Sequence, residues 1–101
     1  MKISEAIRKG AAISLPLEGE LTKRDSQNNL YACALGAAHI GSGGNPDLSG
    51  SAIYPLLRHA WPILTDVRIG DMDLESAIWV KNDDEHQTRE HIATWLEEQG
   101  Y

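Results

Sequence analysis

Phenylalanine is absent from this chain, cysteine occurs once, and nine basic residues face fifteen acidic ones. Each scarcity excludes something. Without Phe, the core is built from Leu, Ile, Val and Ala, with Trp61, Trp79 and Trp95 as its bulky members. Each buried Trp contributes roughly 150–250 Å² of contact. A lone Cys33 excludes an internal disulfide. No positively charged start leads into an apolar run of signal-peptide length, so the expected compartment is the cytoplasm. No stretch approaches the roughly 20 apolar residues of a membrane span, and no membrane contact is expected.

The formal charge of −6 is the opposite of the basic footprint that phosphate binding needs, so nucleic acid is excluded as an expected partner. Met1 to Arg24 holds five Lys/Arg, whereas beyond Asp71 only Lys81 and Arg89 stand among many carboxylates. That asymmetry predicts a bipolar molecule with an acidic C-terminal face, suited to a protein partner or to solubility. At 101 residues the chain forms one domain, residues 1–101, and buries roughly 60–65% of its unfolded surface.

Helical spacing is the main pattern present. Ile3, Ala6, Ile7, Gly10 and Ala11 predict a first helix over about 4–13, capped by Ser4. Pro16 and Gly19 break it, and the polar, aperiodic stretch 18–29 predicts an irregular, mobile arm. The small apolar run from Leu30 to Ile40 predicts a second helix at the centre of the domain, with Gly41 as its stop. A glycine loop over 41–50 precedes a short third helix starting near Ile53 or Tyr54, which would put Pro55 in its first turn. Val67 to Ile69 is extended before a turn at Gly70. Leu74, Ala77 and Ile78 resume helical spacing, although 77–80 also reads as a strand. A last helix runs from about Thr88 to Gln99, with either Thr88 or Asn82 as cap. The fold class this predicts is all-α: one small domain of four to five helices around a small-residue central helix at about 30–40.

Chemistry gathers between residues 82 and 91. Asp83, Asp84, Glu85 and Glu90 suit the positive end of the last helix as structure alone. Asn82, Asp83, Asp84, His86 and His91 are the candidate binding residues. The same histidines and carboxylates make a metal-binding protein one alternative function. Their five-residue gap departs from the i, i+4 spacing of a helical zinc pair, so no metal is assigned and no cofactor is implied. Asp71 to Glu75 imitates the start of a calcium loop, but Ser76 and Asn82 stand where Gly and Glu are required. Cys33 is the one candidate catalytic residue: with a histidine it would make a small hydrolase or transferase. A lone Cys in an apolar helix is more often packed core. The expected function is therefore a small non-enzymatic protein-binding or adaptor module, acting on a protein partner or on itself as a homodimer.

Three segments carry a family likeness: Ser4 to Gly10, Cys-Ala-Leu-Gly-Ala-Ala at Cys33 to Ala38, and Asn-Asp…His…Thr-Arg-Glu…Ile-Ala…Trp from Asn82 to Trp95. In these the chain resembles a loose group of small uncharacterised bacterial and bacteriophage-associated proteins. It departs from that group in having Gln87 where an aromatic often stands, and in lacking a cysteine-rich middle. The resemblance implies a shared folding unit and no particular activity.

Overall fold

Short extended segments pair between the predicted helices, and this overturns the all-α expectation. The computed structural model describes residues 1–101. It is 52% helical and 12% strand, with six α-helices and two small sheets.

The first helix, α1, is Ile3–Ala11 and turns Ile3, Ala6, Ile7 and Gly10 inward, as its spacing predicts. The first sheet then forms from β1 (Leu15–Pro16), β2 (Thr22–Arg24) and β3 (Leu30–Ala32). In it β3 is central, parallel to β1 and antiparallel to β2, with Thr22 opposite Ala32 and Arg24 opposite Leu30. The segment expected to be an irregular arm is therefore a hairpin. Its turn is organised by Asp25, whose carboxylate accepts the amides of Gln27 and Asn29, each at 2.9 Å. Asn28 takes the positive φ of 67° that Asn tolerates better than most residues.

Helix α2 is Ala34–Gly41, shorter than the predicted 30–40. Leu30 to Ala32 belong to the sheet because an apolar run without a period satisfies a strand as well as a helix. Here both strand edges are taken. Cys33 makes the junction: its backbone is extended and its Sγ accepts the Gly36 amide at 3.4 Å, capping α2. The central burial of α2 holds, with every residue from Ala34 to Ile40 buried. Its close approaches are made by glycine. A Cβ on Gly10 or Gly41 would fall 1.8 Å from a backbone oxygen of the facing helix, Ala37 or Ala6. A Cβ on Gly36 would meet the Leu21 carbonyl oxygen at the same distance, so that glycine admits the strand layer, not a helix.

Helix α3 is Gly50–Ala60, starting one turn earlier than predicted and carrying Pro55 inside it. The amide that Pro55 lacks would have met the carbonyl of Ser51, an exposed residue that water can serve. Pro62 leads into α4, Ile63–Asp66. A two-residue hairpin follows, β4 (Arg68–Ile69) with β5 (Met72–Asp73), turning at Gly70. Helix α5, Leu74–Trp79, is capped by Asp73, whose Oδ1 accepts the Ser76 amide at 2.8 Å. This settles 77–79 as helix. The chain then widens into a π-helical turn, Val80–Asp84. Helix α6 is Arg89–Glu98, capped by Thr88 through the His91 amide at 3.0 Å. Helices α1 and α6 pack beside α2, and Tyr101 O accepts the Ser4 amide at 3.2 Å, joining the chain ends. No helix is long and apolar enough to cross a membrane.

Candidate functional site

A cleft of about 330 Å³ opens between the β1–β2 connection and the chain leading into α6, lined among others by Leu17, Glu18, Asn82, His86, Gln87 and Arg89. It gathers some of the candidate binding residues and leaves others out. Asn82 and His86 line it; Asp83 and Asp84 stand beside it on the π-helical turn, and His91 faces the other side of α6.

Asn82 is buried and structural. Its Oδ1 accepts the Ala34 amide at 3.1 Å, at the start of α2, while Nδ2 donates to Leu17 O at 3.0 Å and to Asp83 Oδ1 at 2.8 Å. The widened backbone of the π-helical turn is what carries a polar side chain inward at this point. Asp83 also accepts the Gly19 amide at 3.2 Å, and His86 Nδ1 lies 2.7 Å from Glu18 Oε1. Three successive residues of the connection, Leu17 to Gly19, are thus held by side chains from 82–86. That hydrogen bond, with the negative charges of Glu18, Asp84 and Asp83, raises the His86 imidazole above its ordinary value.

The acids of 83–85 do not crown the last helix. They follow α5, at the helix end where carboxylates are unfavourable. Solvent exposure and the bonds from Gly19 and Asn82 offset this, and Glu90 alone is acidic in the first turn of α6.

Arg89 closes the inner side of the cleft and was not singled out by sequence reasoning. Its guanidinium donates to Ser14 Oγ at 2.8 Å and Ser14 O at 2.9 Å, with longer contacts to Ala11 and Ala32 carbonyls. No carboxylate pairs with it, and burial lowers its proton affinity. The cation sits where α1 ends, serving carbonyls that the helix leaves unpaired. A helix-terminal arginine 78 residues distant in sequence from Ala11 gives no local signal.

Cys33 is 1% exposed, and burial pushes its thiol up to about 11. At neutral pH it is a protonated, packed cap, without the thiolate that nucleophilic chemistry needs. His39 is likewise buried, its Nε2 donating to Asn45 O at 2.8 Å, whereas His59 is exposed. No three His, Cys, Asp or Glu side chains converge as a metal would require. Trp61 is buried, its indole donating to Met1 O at 3.1 Å. Trp79 and Trp95 are half-buried, and the Lys81 ammonium lies 4.5 Å above the Trp95 ring.

The outward side of α6 borders a second, shallower groove lined by Thr88, Glu90, His91, Thr94, Trp95 and Glu98. Arg8 from α1 reaches over to Glu90 at 2.9 Å and to Glu97 at 2.5 Å, so the basic N-terminal and acidic C-terminal segments meet and partly neutralise each other. Glu98 has no such partner. Comparison with known proteins gives no match among family models, curated proteins or solved structures.

Proposed function

We propose that this chain is a small protein-binding module without chemistry of its own, which offers the outward face of α6 to a basic protein surface. The observation that carries the reading is the α6 groove, where the half-buried Trp95, with the Lys81 ammonium 4.5 Å above its ring, shares the lining with Glu90 and the unpaired Glu98. A partly exposed Trp rimmed by charge is a common anchor at protein interfaces. The excess of acid over base sets the sign of the partner. The buried, protonated Cys33 speaks against the hydrolase or transferase alternative, and the scattered histidines against the metal-binding one.

The test compares the immobilised full chain with a His91→Lys/Glu98→Lys variant, both residues being exposed. The wild type is expected to retain a specific basic protein from an extract, identified by mass spectrometry and released as salt rises. The variant is expected to lose it. Equal retention by both proteins, or retention indifferent to salt, rejects this face as the binding surface.

A further inference from the structure

The β1–β2 connection has a fixed heel and a free tip. Leu17 O is tied to the buried Asn82 at 3.0 Å, and Pro16 belongs to β1, so the heel does not depend on any titrating group. Beyond it, Glu18 is exposed, and Gly19 has a positive φ of 83° with open space around it, the freedom of a hinge. Only two bonds hold this tip: Gly19 N to Asp83 Oδ2 at 3.2 Å, and Glu18 Oε1 to His86 Nδ1 at 2.7 Å. Glu18, on the connection, and His86, on the chain leading into α6, both line the cleft, and their contact joins the two segments that bound it. His86 is also held at a φ of 52°, in the left-handed region that residues other than glycine rarely adopt. An exposed side chain is thus fixed in an uncommon backbone conformation at the cleft.

We propose that His86 and Glu18 form a proton-operated latch, closed across the cleft while the imidazole is protonated and released when it is neutral. The charged groups around His86 agree in sign. Glu18 faces it from the connection, and Asp84 and Asp83 act from the π-helical turn, all three favouring the imidazolium. Glu90 lines the same cleft from α6, while the Arg89 guanidinium there is turned to the Ser14, Ala11 and Ala32 oxygens. The folded histidine therefore keeps its proton above the ordinary value of about 6.5. The charge-assisted hold of the latch is fully present below about pH 6.5 and is lost as pH rises through the raised value. Because both side chains are exposed, the change in tip closure is a few-fold, not an all-or-none transition. This inference does not depend on the α6 groove or on any partner.

Nuclear magnetic resonance of the full chain between pH 5 and 9 tests it. The His86 ring is expected to titrate above 6.5, and the Glu18 and Gly19 amides to move with the same midpoint. Relaxation of Ala11 protons by a soluble gadolinium chelate is expected to rise a few-fold above that midpoint as the cleft opens. In Glu18→Gln the His86 midpoint should fall back toward 6.5. In His86→Asn, where Asn tolerates the positive φ, the Gly19 titration should vanish while the rest of the spectrum stays dispersed. A His86 midpoint at or below 6.5, a Gly19 titration that survives His86→Asn, or chelate access that is flat with pH each overturns the latch.

Discussion

Asn82 does the work of three bonds from one buried amide, and none of its partners lies close in sequence except Asp83. Truncation to alanine would leave the buried Ala34 amide without its partner and free the half-buried Leu17 carbonyl at the edge of the cleft. Unsatisfied buried groups of this kind cost about 1–3 kcal/mol. We expect Asn82→Ala to lower the urea midpoint by that amount with the slope unchanged; a loss within error would mean that water replaces the amide. Residue chemistry of this sort is half legible. An asparagine after an amphipathic run reads as a cap, and Asn82 does satisfy a helix start, but the start is that of α2, 48 residues away in sequence. Cys33 shows the converse: its identity invites a nucleophile, and its burial makes it a cap whose thiol keeps its proton.

At the scale of elements, glycines decide how closely α1 and α2 approach. Gly10 faces the Ala37 carbonyl across the helix pair, and any Cβ there must push the two backbones apart. Overpacking of this kind costs typically about 1–3 kcal/mol. The Gly10→Ala protein is expected to melt below wild type by circular dichroism, despite the better helix propensity of alanine. An unchanged or higher melting temperature would show that the helices separate at no cost. The longer helices were legible because their apolar residues recur at helical spacing: Ile3, Ala6, Ile7 and Gly10 in α1, Ile92, Ala93 and Leu96 in α6. The strands of the first sheet were not, since two or three residues are too few to display alternation. A usable signal was present in Asp25-Ser26-Gln27-Asn28-Asn29, where four of five residues are turn formers, between Thr22–Arg24 and Leu30–Ala32.

As a whole, the molecule measures 40 × 25 × 22 Å with a radius of gyration of 12.3 Å, near the roughly 13 Å expected for its length. Its charge is less divided than the order of residues suggests, because α1 and α6 pack together and Arg8 lies over Glu90 and Glu97. On the outside, Ile13 is 64% and Leu15 46% exposed, beside a shallow apolar hollow at the free edge of β1. The homodimer that the sequence raised as an expectation would use this surface. Light scattering is then expected to give a concentration-dependent mass in the wild type and a monomer in Ile13→Asp. A wild-type monomer at all concentrations rejects self-association.

What the amino-acid order determined alone is what depends on near neighbours: the helical stripes of α1 and α6, the end of α2 at Gly41 and the absence of a membrane-length helix. The tertiary structure decided everything that needs a partner far along the chain. Leu30 to Ala32 became strand because β1 and β2 offered it hydrogen bonds on both sides. Arg89 found unpaired carbonyls at the end of α1, and His86 found Glu18 across a cleft. Backbone hydrogen bonds and buried charges must be satisfied by whatever the fold brings near, and sequence spacing carries no record of that distance.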